Sequence, residues 1–425
     1  MALLLLGIFI VIMLIGTPVG FGIGALTAIS FTLLNGDYSI IPQKLYAGID
    51  VYTYLCILLF ILAADIMSVG GITGSIVRFC NSLVGHIRGG LAHVNVLASM
   101  LFAGISGSAT ADASGLGPIE IEMMTRGGYP RDFSCAVTAS SAIIGPIIPP
   151  SNIMIIYAAC VGTVSIGRMF LGGFLPGVLL GIGLMIYCYV ASVRRKYPYN
   201  KQRASLKEIL QCTIETLPAL LLPLIILGTI TFGICTATES SAIAVLYAVI
   251  VAALRKQLSM KSFVRCCIRS AKASANVLFI IAISNAMGWA ITTLQVTQQL
   301  VVLCMEYVSS AIIFLLVTNI LLLIIGMLLD AAPALLLMVP ILLPIAMKYG
   351  IDPIHFGVVV CLNLMIGNIT PPVGMILFIV SNVGKISLSV LYVKIIPFAI
   401  VTIIVLFIVT YIPAIVTFLP GLIMR

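Results

Sequence analysis

The sequence predicts an all-α polytopic membrane protein with two inverted repeats, each carrying transmembrane helices, a re-entrant helical hairpin and a Pro-Pro-broken helix. Three observations carry that prediction. Hydrophobic residues make up 61% of the 425 and charged residues only 8%, whereas soluble domains carry roughly a quarter charged residues. Gly145-Pro146-Ile147-Ile148-Pro149-Pro150 recurs 222 positions later as Gly367-Asn368-Ile369-Thr370-Pro371-Pro372. Twelve of the 22 Lys and Arg fall in two short stretches, Arg194 to Lys207 and Arg255 to Lys272. Short loops rich in Lys and Arg mark the cytoplasmic side. The net charge of +9 is thus a topological signal, not a nucleic-acid footprint.

The apolar runs are helix-length, about 17–25 residues, unlike the ~10-residue alternating segments of an outer-membrane barrel. The first, 2–15, lacks a basic n-region and a small-residue cleavage site, so it reads as a membrane segment and not as a signal peptide. It is shorter than the ~17 residues a crossing needs, so the sequence leaves open whether residues 2–34 cross once or twice. Segments 17–34 and 52–70 follow. Ile72, Ile76, Phe79, Leu83 and Ile87 then recur at helical spacing around Arg78, Asn81 and His86, the pattern of an interfacial amphipathic helix. Segments 203–213 and 259–272, with basic polar faces, read the same way.

Segment 91–125 holds the polar tip Ser106-Gly107-Ser108-Ala109-Thr110-Ala111-Asp112, with Glu120 and Glu122 in its second limb. A polar, glycine-containing tip between two apolar limbs predicts a re-entrant hairpin. Segment 133–161 is broken by Pro149-Pro150, and 165–191 closes the half. A Pro-Pro pair removes helix donors and clashes with the preceding turn, and the residue before each Pro is pushed out of the helical region. In lipid such a break survives only where it is buried in protein or lines a wet cavity.

The second half (201–425) repeats the first (1–200). Segments 213–232, 238–254 and 273–295 precede a hairpin over 312–348 with Gly326 and Asp330 at its tip, a broken helix over 355–382 and a closing helix over 390–415. The pattern Met-x5-Pro-x2-Phe precedes both breaks, as Met124, Pro130, Phe133 and as Met347, Pro353, Phe356. Counting crossings from the basic loops puts the 126–132 turn inside and the 349–354 turn outside, so the first hairpin opens inward and the second outward. Matched breaks in inverted halves point to a transporter binding site.

Carbonyls near Gly145–Ile148 and Gly367–Thr370, freed by the prolines, are hard oxygen ligands for a small bare cation. Ser106 and Ser108 extend the first set; Gly326, Asp330 and Thr370 extend the second. The helix N-termini after the breaks, at Ser151-Asn152 and Val373-Gly374, suit an anionic group such as a carboxylate. Substrate candidates are therefore Asp112, Ser151, Asn152, Asp330 and Asn368. Intramembrane carboxylates are costly and commonly functional, yet Asp112 and Asp330 could equally cap hairpin helices; the sequence does not choose. Glu239 reads as a helix cap. Eleven scattered cysteines without C-x-x-C and three dispersed histidines give no disulfide framework, metal cluster or catalytic set. No cofactor is expected.

On these residues the chain resembles the large (DctM-type) membrane subunit of the tripartite ATP-independent periplasmic (TRAP) transporters. Ser106-Gly107-Ser108-Ala109 with Ala111-Asp112, Gly145-x-Ile147-Ile148-Pro149-Pro150-Ser151, Thr238-Glu239-Ser240 and Gly367-x-Ile369-Thr370-Pro371-Pro372 carry the resemblance. Gly350-Ile351-Asp352-Pro353 adds to it. The resemblance implies an elevator transporter of the bacterial inner membrane that imports an organic acid with Na⁺. It also implies two partners, a small four-helix membrane subunit and a soluble periplasmic binding protein. One Na⁺ site would use Ser106, Ser108, Gly145, Ile148 and Pro149, the other Gly326, Gly367, Thr370 and Val373. No four-helix extension precedes Met1, so the small subunit is expected as a separate chain. Two features depart from the family: Ala237 stands where a Pro usually precedes Thr-Glu, and Ala113-Ser114-Gly115 follows the hairpin Asp. A stand-alone ion-coupled exchanger is the competing function. A membrane-embedded enzyme is disfavoured, since one Asp per hairpin is thin catalytic equipment.

Overall fold

A computed structural model describes residues 17–33, 37–199, 202–308 and 310–424; the expected segment 2–15 lies outside them. The described residues contain helices and connections and no strand, and eight of the helices are long and apolar enough to span a membrane. The first half runs through Val19–Leu33, Ile40–Ile49, Leu55–Val69 and Ile72–Val84. Its hairpin pairs Gly90–Ser106 with Ala109–Gly115 and Gly117–Arg126, its broken helix is Arg131–Ala142 and Asn152–Val161, and Ile166–Arg194 closes it. The second half runs through Leu206–Thr231, Ala237–Leu254, Met260–Thr293 and Val296–Tyr307. Ala311–Leu328 and Ala331–Lys348 form its hairpin, Pro353–Gly367 and Met375–Gly384 its broken helix, and Leu388–Tyr411 with Ala414–Ile423 ends it.

Two basic segments differ from expectation. Residues 203–213 and 259–272 are not separate interfacial helices; each runs on into the membrane helix that follows. Ser205 with Glu208, and Ser259 with Ser262, form capping boxes that start each helix early. No Gly or Pro interrupts the first before Pro218, and the second contains only Gly288, so the helix propagates from basic surface into apolar core. The helix over 72–84 does bury Ile72, Ile76 and Cys80 along one face. Leu83 and Ile87, expected on that face, are exposed. Helices 40–49 and 296–307 occupy stretches where the apolar pattern marked no element.

Packing exchanges partners between the halves. Ala237–Leu254 lies along Leu55–Val69, and Met260–Thr293 lies along Val19–Leu33 and Ile40–Ile49. Deeper in, Ala109–Gly115 packs on Met375–Gly384, and Ala331–Lys348 packs on Asn152–Val161. Each hairpin's second arm therefore touches the post-break helix of the other half. Gly173, Gly177 and Gly181 form a small-residue stripe on Ile166–Arg194. A Cβ on these glycines would strike the Ile147 carbonyl, the Ile148 side chain and Met100 respectively. Close approach over small residues is what drives helix association where burial from water cannot; here it seats the first break against the closing helix.

Candidate functional site

At the first break, Arg131–Ala142 stops because Pro146 has no amide to donate to the Ala142 carbonyl, and Pro149 and Pro150 keep the helix from resuming at once. The amides of Ile147 and Ile148 both turn back to the Ile144 carbonyl. Gly145, Ile147, Ile148, Pro149 and Pro150 accept no backbone hydrogen bond among the described residues, as the sequence requires. Ser151 starts the next helix: its hydroxyl donates to the Pro146 carbonyl and accepts from the Met154 amide at 3.2 Å. That hydroxyl is engaged in holding the break and is fully buried.

The hairpin tip fits against this break. Gly107 takes a left-handed conformation (φ +60°) to end Gly90–Ser106, a geometry glycine adopts at no steric cost. Its carbonyl accepts the Asn152 amide at 3.4 Å, and a Cβ there would meet the Pro150 carbonyl. Ser108 caps the short helix 109–115, accepting from the Ala111 amide at 3.5 Å and sharing a hydrogen bond with Thr110. Ser106 donates from its hydroxyl to Asp112 Oδ1. Asp112 Oδ2 has no hydrogen-bond partner among the described residues and sits where a Cβ on Gly145 would fall. Of the residues after this Asp, Ala113 is buried while Ser114 and Gly115 face outward.

At the second break the backbone is more fully used. The Gly367 carbonyl accepts the Thr370 amide at 2.9 Å and the Asn368 carbonyl accepts the Ile376 amide at 3.1 Å. These two carbonyls therefore differ from the expectation of unpartnered groups, because the chain turns tightly enough to reach them. Each keeps its second lone pair. Thr370 Oγ1 donates to the Ile366 carbonyl at 2.7 Å, leaving the oxygen's lone pairs for another partner. A Cβ on Gly367 would lie 2.7 Å from Gly326 Cα, so the two backbones touch. Gly374 donates its amide to the Met327 carbonyl at 3.2 Å, tying this break to its own hairpin tip. Asp330 caps Ala331–Lys348 through the Ala331 amide at 2.9 Å, and the buried Asn368 lies within hydrogen-bonding reach of it. A cavity of about 330 Å³ opens beside the tip, lined by Met327, Leu329, Val373, Met375 and Phe378. The peptide bond between the two prolines is cis in both breaks.

Periodicity did not reveal one matched interaction. Asn95 on the first hairpin accepts a hydrogen bond from Ser141 at 2.8 Å; Asn319 on the second accepts one from Asn363 at 2.8 Å. Ser141 and Asn363 each stand four residues before the glycine of their break. Glu120 also lies buried in this region of the first half, accepting from Ser99 at 3.3 Å. Glu122, by contrast, is exposed and pairs with Arg126 at 2.7 Å.

Two helix breaks held against two re-entrant tips within a helical membrane bundle define a membrane transporter of the broken-helix class. The family model of the DctM component of tripartite ATP-independent periplasmic transporters matches residues 6–415. The chain belongs to this family. It is 38% identical over 417 residues to the sialic acid TRAP transporter permease protein SiaT of Haemophilus influenzae, covering 98% of this chain and 67% of that protein. It is 39% identical over 399 residues to the C4-dicarboxylate TRAP transporter large permease protein DctM of Pseudomonas aeruginosa, covering 94% and 92%. Among solved structures, the Alcanivorax borkumensis YdaH transporter superposes with a TM-score of 0.65 at 14% identity, over 88% of this chain and 87% of that one. That likeness speaks for the fold alone. The relatives are named as transporter permeases and not as enzymes.

Proposed function

We propose that this chain is the large subunit of an inner-membrane TRAP system that imports an organic acid together with Na⁺ by an elevator movement. The pairing of each break with a hairpin tip, in a chain of this family, carries the reading. Ser106, Ser108, Gly145, Ile148 and Pro149 would take one Na⁺, and Gly326, Gly367, Thr370 and Val373 the other. Their oxygens are hydroxyls and carbonyls, the hard ligands a small cation prefers, and the first break's unpartnered carbonyls support that assignment. The N-termini at Asn152 and Met375 would steady the substrate's carboxylate between the ions. A carboxylate substrate accords with the sialic acid and C4-dicarboxylate in the relatives' names.

The halves 1–200 and 201–425 serve as the inverted repeats, a reading supported by the placement of Lys and Arg and by the exchange of packing partners. A separate small membrane subunit and a soluble periplasmic binding protein complete the system. About a third of the Haemophilus permease lies outside its match to this chain, room for an additional membrane part. Uptake of radiolabelled sialic acid and of a C4-dicarboxylate, in proteoliposomes holding this chain and its small subunit, tests the proposal. Uptake of one acid should require both an inward Na⁺ gradient and the binding protein. Uptake indifferent to both would overturn it in favour of a stand-alone exchanger.

A further inference from the structure

We propose that the two cation sites are electrostatically unequal: Asp112 supplies negative charge to the first and orients Ser106 toward its ion, whereas the second has no such carboxylate. This inference rests on the Na⁺-coupled reading above. Asp112 is 2% exposed, and no Lys or Arg among the described residues pairs with it. An uncompensated buried charge is severely destabilising, so Asp112 stays ionised only where a ligand brings the counter-charge. The surroundings say which sign that ligand carries.

Ser106 uses its proton on Asp112 Oδ1, which turns the hydroxyl's lone pairs away from the carboxylate. One weak donor, the Ser108 amide at 3.4 Å, reaches that hydroxyl. Asp112 Oδ2 lies unpartnered against Gly145, and the Pro149 and Pro150 carbonyls face Gly104 and Gly107 of the same hairpin. This shell is almost wholly acceptors, which a cation satisfies and a carboxylate would find repulsive. Asp112 therefore belongs with the ion and not with the anionic substrate. Behind Ser106 it acts as a positioning residue, fixing the hydroxyl's orientation and raising its basicity, as outer-shell carboxylates do for metal ligands.

The second half lacks an equivalent. Asp330 is committed to the Ala331 amide, where a helix N-terminus offsets its charge. A Cβ on Gly326 would meet the Leu364 carbonyl at 3.1 Å and the Gly367 Cα at 3.3 Å, both neutral backbone. A cation in the second site would bind to neutral oxygens, more weakly and with less penalty when it leaves.

The test measures uptake against Na⁺ concentration for the full complex carrying Asp112→Asn, Ser106→Ala, both together, or Asp330→Asn. Asp112→Asn should raise half-saturating Na⁺ by about tenfold or more, the usual cost of losing an outer-shell partner. The double variant should be worse than Ser106→Ala alone, because the Asp112 charge acts on the ion directly, but by less than the two single shifts combined, because Asp112 also orients Ser106. Asp330→Asn should leave melting temperature nearly unchanged, because Asn caps a helix about as well as Asp, and half-saturating Na⁺ should stay within about twofold, since Asp330 is a cap and not an ion partner. If Asp112→Asn does not fold, Asp112→Glu, which displaces the charge by one methylene, should also raise half-saturating Na⁺. An unchanged Na⁺ curve in the Asp112 variant that folds overturns the proposal, as does an equal shift in Asp330→Asn. Na⁺-independent uptake by the unmodified complex would instead bring down the coupling itself, so the two failures are distinguishable.

Discussion

The buried asparagines show how single side chains hold each hairpin to its break. Asn363 donates both to Asn319 Oδ1 at 2.8 Å and to the Asn319 carbonyl at 3.0 Å, while Asn319 donates to Thr410 at 3.1 Å. All three side chains are buried. Replacing Asn363 with Ala removes a donor and leaves the Asn319 side-chain oxygen unpaired. The expected loss is about 1–2 kcal/mol, because an orphaned buried polar group costs most of its desolvation. Denaturation in detergent should show it, and a loss within error of zero would mean the asparagine pair contributes nothing. The sequence displayed the break motifs, since Gly-x3-Pro-Pro is unusual inside an apolar run. It could not display these partners: a Ser or Asn in a long helix does not say which helix it faces. Nor could it decide the two aspartates. Asp330 proves to be a cap, whereas Ser108 occupies the cap position of the first hairpin's second arm and leaves Asp112 without an amide.

Among the elements, legibility followed the strength of the breakers. Hairpins, broken helices and closing helices fall close to their expected segments because Gly, Pro and polar tips punctuate them. The basic stretches at 203–213 and 259–272 carried no such punctuation, and the helices ran through them. Capping settles the departure at Ala237 similarly. Thr236 and Glu239 form a capping box, with the Thr236 amide donating to Glu239 at 2.8 Å. This fixes the loop without a proline. Ala237 is the first residue of its helix, its amide makes no backbone hydrogen bond among the described residues, and Thr236 is extended (φ −68°, ψ 165°). A proline is welcome at that position and after such a residue. Ala237→Pro should therefore stabilise the protein by about 0.4–1 kcal/mol through the unfolded chain. A fall in melting temperature would show that the backbone there is not proline-compatible.

For the whole molecule, the question is which helices travel together. Composition and charge led to the expectation of two opposed halves, but the exchange of packing partners between residues 1–200 and 201–425 is long-range packing that no local pattern encodes. That exchange is clamped at both ends of the broken helices. Arg131 Nε donates to the Gly384 carbonyl at 2.6 Å, the Tyr157 hydroxyl donates to the Pro353 carbonyl at 2.6 Å, and Lys394 pairs with Asp132 at 2.8 Å. Each contact joins one half to the other, so the two breaks behave as parts of one body. An elevator movement should carry that body intact across the framework. A Cβ on Gly384 would lie 3.7 Å from the Cβ of Cys135, inside the ~3.5–4.5 Å range a disulfide requires. Gly384→Cys should therefore cross-link to Cys135 on oxidation, verified by mass spectrometry of the linked peptides. Because the link lies within the moving body, oxidised protein should transport at the rate of the same variant reduced. Inhibition on oxidation, reversed by a reductant, would mean that the broken helices of the two halves slide against each other, and the rigid-body elevator would have to be abandoned.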